Sequence, residues 1–310
     1  MNDSNPKTIP AAADVATPRK GAWTFDERTL GCSTLSFRLD PLGDALDAIV
    51  RIGFAEFDLG VYPGYCEHYD ALCATDDGRA TFADRVKATG LTTRTLNVHP
   101  GSFSGPRADS GQLWAALREE VILATALGAV GVSMATGEIG PELDREQSLR
   151  QEIAGFRRLA ALAANAGLMC LVEAPHFGRV CDTVDAAARL IEEIDQPTAY
   201  LTLDTSHIVA SGADVAAAAR SLGPRARHVH LRDGRRGEMR LPVGRGAVDF
   251  GGFFRELARV NYEGHFTLEL ATEGSPLPKE QEVNEARRLI LALWAGGDGL
   301  DGSRPEHRLE

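Results

Sequence analysis

Four short apolar segments of the sequence end in side chains that could bind a metal ion. They contain Glu173 in "LVEAPH", Asp204 in "LTLDTSH", His230 in "HVHLRD" and Glu269 in "TLELATE". Three carboxyl groups brought together repel one another and raise one another's pKa values unless a cation neutralises them. Three oxygen donors and one imidazole suit Mn²⁺, Mg²⁺ or Co²⁺, with Zn²⁺ as a further candidate. If the fold brings these residues together, the sequence predicts one divalent ion, with Mn²⁺ as the first choice.

The elements that must position these side chains recur as an amphipathic stretch, a glycine and a short apolar run. Within residues 144–166, Leu149, Ile153 and Phe156 fall on one face of a helix. A glycine after such a stretch is expected to end the helix in the left-handed conformation. The glycines that follow this pattern are Gly53, Gly90, Gly128, Gly167, Gly223 and Gly264.

The apolar runs after these glycines are typical of parallel strands buried on both faces. With "TLGCST" at 29–34 and "TAYLTLD" at 198–204 they make eight strands. Eight strands alternating with helices predict an α/β fold, a single (β/α)8 TIM barrel, in which the site lies where the strands end. The second strand is predicted to end at Asp58 and the third at His99. Strand alternation puts His228 beside His230 but deeper, as a buried structural group.

Composition and charge set limits on the class of protein. The net charge of −11 argues against nucleic-acid binding, and no apolar run reaches the ~20 residues that span a bilayer. The five cysteines include no CxxC pair, which indicates a reducing, cytoplasmic setting. We expect a disordered N-terminal lead-in over 1–22, the barrel over 23–295 and a flexible tail over 296–310.

The stretch "LDTSH" has two interpretations when it is read alone. Asp204 could cap the helix that follows, with His207 on its first turn, since Asp is among the preferred N-cap residues. Alternatively, the carboxylate and the imidazole could both belong to a functional site.

Several motifs, in order, resemble the sugar phosphate isomerase/epimerase-like family, the xylose isomerase-like TIM barrels. They are "GFAEFDLG", "LVEAPHFGR", "LTLDTSH", "HVHLRD" and "GRGAVDFGGFFRELARVNYEGHFTLELA", and the resemblance spans residues 29–294. It implies that one divalent metal binds to Glu173, Asp204, His230 and Glu269, and that Glu173 and Glu269 also act as the acid/base pair. The substrate-binding residues expected on this basis are His207, His99, His176, Arg232 and Asp58.

Two of these positions depart from the pattern of that family. Asp58 stands where a Glu is more usual, and Arg232 stands where a Lys is commoner. The abasic-site endonucleases share the fold but carry a second D-x-H after the seventh strand. Here Asp233 is followed by Gly234 and Arg235, so that ligand pair is absent and a nuclease is rejected.

The resemblance favours an isomerase or epimerase of a ketose or related polyhydroxy carbonyl compound, acting through a metal-stabilised enediolate. The alternatives are a dehydratase of an inosose or dehydroshikimate type and the metal-bearing subunit of a C-glycoside deglycosidase. A non-catalytic binding subunit is the alternative from another class. A small sugar or cyclitol is the expected partner, and a homo-oligomer or a partner subunit stays open.

Overall fold

Eight parallel strands close into a barrel in the computed structural model, which describes residues 29–295 except 107, 109 and 274. Around the barrel the strands follow the order β1, β10, β7, β6, β5, β4, β3, β2. The predicted lead-in over 1–22 and tail over 296–310 lie outside the described residues. The barrel strands are β1 Leu30–Ser33, β2 Glu56–Val61, β3 Thr92–Val98, β4 Gly131–Ala135, β5 Met169–Glu173, β6 Ala199–Asp204, β7 Ala226–Leu231 and β10 His265–Leu268.

Helices follow the strands and cover the outside of the barrel, which confirms the predicted α/β class. An antiparallel hairpin of β8 Asp233–Arg235 and β9 Glu238–Leu241 follows β7 and was not predicted. The helices are α1 Leu42–Ile52, α2 Asp76–Ala88, α3 Gly111–Leu127, α4 Arg145–Asn165, α5 Val184–Ile194, α6 Thr205–Ala210, α7 Val215–Leu222, α8 Phe250–Arg259 and α9 Lys279–Ala295. None of the described helices combines the length and the apolarity needed to cross a bilayer.

Local signals in the sequence set where several helices begin and end. The side chain of Asp144 caps α4 by accepting from the backbone N–H of Gln147, whose side chain accepts in return from the N–H of Asp144. The predicted left-handed conformation is found at four of the six glycines, with positive φ at Gly53, Gly90, Gly128 and Gly167.

The prediction of a left-handed cap was wrong at Gly223 and Gly264. Gly223 has φ −53° and begins a short 3-10 turn that continues through Pro224. Asn261, not Gly264, takes the positive φ after α8. A Cβ atom at Gly264 would lie 2.2 Å from the Tyr262 hydroxyl and 2.3 Å from the carbonyl oxygen of Arg227. Glycine is therefore required at position 264 by close packing and not by its backbone angles.

The second strand continues past Asp58, contrary to the prediction. Leu59, Gly60 and Val61 pair with β3, so Asp58 lies in the middle of β2 and inside the barrel. Its Oδ2 lies 2.7 Å from Nε2 of His228, and its Oδ1 accepts from the backbone N–H of Thr95. These contacts form a buried polar layer below the ends of the strands.

Glu120 on α3 is a fully buried carboxyl group. Neither of its oxygens has a hydrogen-bond partner among the described residues. Burial raises the pKa of Glu120 from its ordinary 4.5 to about 8, and the neighbouring Glu119 adds to the effect. The side chain is consequently neutral at pH 6 and gains a costly buried charge in alkaline solution.

We predict that Glu120→Gln removes a loss of stability at alkaline pH. Between pH 4.5 and about 8 the unfolded chain releases this proton while the folded chain keeps it, so stability that is complete below pH 4.5 is lost progressively up to about pH 8. At pH 9 the variant should exceed the wild type in free energy of unfolding by about 4 kcal/mol, with a difference below about 1 kcal/mol at pH 4. Urea unfolding at the two pH values measures this, with the exposed Glu192→Gln as control. An E120Q effect independent of pH would contradict the prediction.

Candidate metal and substrate site

The fold brings the four predicted metal ligands together at the carboxyl ends of the strands. Glu173 and Asp204 are the last residues of β5 and β6, His230 is the penultimate residue of β7, and Glu269 directly follows β10. Asp204 pairs in register with His230, and His230 pairs with Thr267. All four side chains are buried.

One nitrogen of His230 faces the carboxylates. Nδ1 of His230 lies 3.5 Å from Oε1 of Glu173 and 3.6 Å from Oε2 of Glu269. Donor atoms of Glu173, Asp204 and His230 all lie within 4.8 Å of one another. Neither ring nitrogen of His230 has a hydrogen-bond partner among the described residues. An unpartnered buried imidazole among three carboxylates fits a divalent cation bound at Nδ1.

The pKa of His230 also indicates a position that stabilises positive charge. Burial alone would lower the pKa of His230, but the carboxylates of Glu269 and Glu173 raise it to about 10. Positive charge is therefore stabilised at this position, whether a proton or a metal ion carries it.

The two oxygens of Asp204 have different partners, and the first confirms that Asp204 caps a helix. Its Oδ1 accepts from the backbone N–H groups of Ser206 at 2.8 Å and His207 at 3.1 Å, and so caps α6. Its Oδ2 faces the site, 3.3 Å from Nη1 of Arg232. One carboxylate thus fixes the start of a helix and offers its second oxygen to a cation.

Glu269 is held by two neighbours. Nδ2 of Asn97 donates to its Oε2 at 2.8 Å, and Nη1 of Arg232 donates to its Oε1 at 3.1 Å. The hydroxyl of Tyr62 donates to Oδ1 of Asn97 at 2.8 Å, which fixes the orientation of that amide. Asn97 and Arg232 therefore set the position of the Glu269 carboxyl group.

The carboxyls of Glu173 and Glu269 differ in proton affinity. Burial is the largest influence on each and by itself raises both pKa values. The contact with His230 outweighs burial for Glu173, whose pKa lies well below the usual range. Burial prevails over the attraction of His230 and Arg232 for Glu269, whose pKa is raised.

His176 and His207 form a stacked pair, with ring centroids 3.6 Å apart. Nδ1 of His207 accepts from the backbone N–H of Phe177 at 3.3 Å, and Nδ1 of His176 lies 3.2 Å from the carbonyl oxygen of Phe177. In their neutral forms, His207 therefore carries its proton on Nε2 and His176 on Nδ1. Glu173, His176 and His207 also lie close enough to share a cation, but in this tautomer Nε2 of His207 carries a proton and acts as a hydrogen-bond donor.

A cavity of about 290 Å³ opens above these groups. Its walls include most of the predicted site residues, namely Glu173, Glu269, His99, His176, His207 and Arg232. His99 stacks on Tyr62 with ring centroids 5.5 Å apart, and burial together with the nearby Arg179 lowers the pKa of His99 to about 4. Asp58 does not line the cavity, because it lies in the polar layer beneath it against His228.

Among the residues of the site that were not predicted are Asn97, Arg179 and Arg240. Asn97 lies two residues before His99 in "TLNVHP", so strand alternation from His99 could have found it. Arg179 ends the motif "LVEAPHFGR". Arg240 lies on β9 of the unpredicted hairpin, and no local pattern indicates that this hairpin reaches the cavity.

The fold is a TIM barrel with a cluster of side chains that could hold a metal ion, and comparison with known proteins identifies the family. Residues 46–293 match the xylose isomerase-like TIM barrel family, so the chain belongs to it. An inosose dehydratase of Clostridium perfringens is 31% identical over an alignment of 155 residues, and the match covers 44% of this chain and 52% of that protein. An L-ribulose 3-epimerase of a Methylomonas species is 28% identical over 156 residues, 50% of this chain and 52% of that protein.

The chain thus spans about half the length of the curated relatives that it matches. These relatives are enzymes, and they include both epimerases and dehydratases. A solved structure of the IOLI protein with a bound zinc atom has a TM-score of 0.72 at 16% identity, over 87% of this chain and 99% of that one. That likeness confirms the fold.

We predict that the protein binds about one divalent ion per chain and that His230→Ala loses it. Removing the imidazole takes away the one nitrogen donor among the four expected ligands, which weakens metal binding. Inductively coupled plasma mass spectrometry after dialysis against Mn²⁺ measures the bound metal. His99→Ala is the matched control, because His99 lines the cavity without contacting the carboxylates, and it should keep its metal. Equal metal content in the two variants would contradict the ligand assignment.

Proposed function

We propose that this protein is a divalent-metal-dependent epimerase or isomerase of a ketose or related polyhydroxy carbonyl compound. The observation that carries the proposal is the placement of Glu173 and Glu269. They lie at the ends of strands three positions apart in an eight-stranded barrel, nearly on opposite walls, and both face the cavity and Nδ1 of His230. A carbon atom between them would have one carboxyl group on each face.

A divalent ion held by Glu173, Asp204, His230 and Glu269 would supply a Lewis acid for the carbonyl oxygen and the adjacent hydroxyl of the substrate. The oxygen-rich ligand set favours Mn²⁺, while the IOLI structure contains zinc. One of the two glutamates removes the proton from the carbon next to the carbonyl. The other returns a proton to the opposite face, which inverts that carbon.

In this proposal the stacked pair of His176 and His207 orients the substrate. His207 presents an Nε2–H donor, and Nε2 of His176 presents an acceptor. Burial lowers the pKa of each ring to about 3, so both are neutral near pH 7. A donor and an acceptor side by side match the two hydrogen-bonding functions of a sugar hydroxyl.

A dehydratase is the second candidate, and the curated relatives favour it. The Clostridium perfringens relative and several others are inosose dehydratases. Enolisation is the first step of this reaction as well, after which a hydroxyl on the neighbouring carbon leaves. The same two glutamates would then remove the proton from carbon and protonate the departing oxygen.

We predict that the metal-loaded protein exchanges the proton next to the carbonyl of its substrate. In D₂O, incubation with a panel of ketoses and keto-cyclitols should give deuterium at that carbon, detected by NMR. Glu173→Gln and Glu269→Gln should each lower the exchange rate by about 10²–10⁴-fold, because each removes a proton carrier. An epimer as product would identify an epimerase, and an enone with release of water would identify a dehydratase.

The control for this experiment is metal content. Both Gln variants keep an amide oxygen as a donor, and exchange is compared only at equal metal occupancy. Exchange at the wild-type rate in either variant would contradict its role as acid or base.

A separate prediction concerns Asn97. Asn97→Ala removes the amide that donates to Glu269, so the exchange rate should fall by about 10- to 100-fold, the range typical of groups that hold a metal ligand. Tyr62→Phe removes only the hydroxyl that fixes the Asn97 amide and should have a smaller effect in the same direction. Rates from the D₂O experiment test this order. A larger loss for Tyr62→Phe than for Asn97→Ala would contradict it.

A further inference from the structure

Three arginines converge on the cavity from separate parts of the chain. Arg179 comes from the loop after β5, Arg232 follows β7, and Arg240 lies on β9 of the hairpin. The whole chain has a net charge of −11, so this concentration of guanidinium groups runs against its overall charge.

Only one of the three arginines has its charge fully engaged. Arg232 is paired with Asp204 and Glu269 at 3.3 and 3.1 Å. Arg179 is a quarter exposed, and its partner Glu138 lies 3.4 Å away with a side chain that is 75% exposed. Arg240 is exposed at the rim of the cavity, and no ion pair involves it in the described part of the chain. Two guanidinium groups at the cavity are therefore available to a ligand.

The charges of the cavity leave room for an anion. Arg232 pairs with two of the three carboxylates at the strand ends, and a bound divalent ion would balance the charge that remains there. Arg179 and Arg240 then add two positive charges, of which Glu138 beside Arg179 offsets one. Enolisation leaves this total unchanged, because the proton passes from the substrate to a glutamate of the same site. A negatively charged group on the substrate would therefore bring the metal-loaded cavity closer to neutrality.

We infer that the substrate is an acidic sugar or cyclitol, whose carboxylate or phosphate group is bound by Arg179 and Arg240. Arginine is the side chain best suited to this task, because its planar fork donates two parallel hydrogen bonds to a carboxylate or phosphate. The inference rests on the proposed function, since it assumes that the carbonyl end of the same substrate lies between Glu173 and Glu269.

Both arginines are carried by anchored backbone. The N–H of Arg179 donates to the carbonyl oxygen of His176, and its own carbonyl oxygen accepts from Nη1 of Arg145. The hairpin that carries Arg240 is docked on α6, where the N–H of Gly237 donates to the carbonyl oxygen of Ala210 at 2.9 Å. The fold thus fixes the backbone from which each guanidinium group reaches the cavity, which lowers the entropic cost of binding an anion there.

The test compares ligands that differ only in the anionic group. Isothermal titration calorimetry of the metal-loaded protein measures Kd for D-fructose, D-fructuronate and D-fructose 6-phosphate. The uronate or the phosphate should bind about tenfold more tightly than the neutral ketose or better, and the tighter of the two identifies the anion. Arg179→Gln and Arg240→Gln should each remove most of this preference.

Arg235→Gln is the matched control. Arg235 lies on the same hairpin but is two-thirds exposed, paired with Glu238 and outside the cavity wall, so this variant should keep the preference. Thermal unfolding of each variant verifies that it is folded. Equal affinity for all three ligands, including no detectable binding of any, would overturn the inference, and so would a preference that both Gln variants retain.

The outcomes also separate this inference from the proposed function. Proton exchange from neutral ketoses without any preference for the anionic ligands would overturn the inference and leave the proposed function standing. A preference for the anionic ligands that depends on Arg179 and Arg240, without proton exchange from any ligand, would support the inference and overturn the proposed function.

Discussion

Three carboxylates buried at one point inside the barrel are the constraint around which the site is built. Burying a single unpaired charge is costly, and three like charges add their mutual repulsion. The protein offsets this with Arg232, which contacts two of the carboxylates, and with His230, whose pKa the same carboxylates raise to about 10. The remaining demand for positive charge is what makes the position suitable for a divalent ion.

Buried hydrogen bonds below and above the three carboxylates fix the positions of the side chains around them. Below them, Asp58 and His228 bind each other within the barrel and leave His230 free to face the carboxylates. Above them, Asp233 accepts from several backbone N–H groups, including those of Gly244 and Gly246 at 2.8 and 2.9 Å. One buried carboxylate thus ties the hairpin and the following loop to the end of β7, so that Arg240 is held at the cavity.

Much of the barrel, and the residues that would gather where its strands end, could be predicted because both depend on local patterns. Buried parallel strands read as short apolar runs, and a polar residue at the end of such a run stands out, as Glu173 and Asp204 do. This kind of pattern does not identify Asn97, Arg179 or Arg240. Asn97 contacts Glu269 from a distant strand and the two arginines reach the cavity from a loop and a hairpin, so their place in the site depends on the three-dimensional fold. The middle of β2 was misjudged because Gly60 interrupts its apolar pattern.

The neutral imidazoles bear on the choice between epimerisation and dehydration. Burial lowers the pKa values of His99, His176 and His207 to about 4, 3 and 3, so at neutral pH these rings are neutral and none is an imidazolium that could protonate a leaving oxygen. In the proposed reaction, proton transfer then falls to Glu173 and Glu269. Their placement on nearly opposite walls suits transfer between the two faces of one carbon, whereas elimination requires one of them to reach the oxygen on the next carbon. An anion held by Arg179 and Arg240 would fix the carbon chain along the cavity and so decide which atom lies between the two glutamates.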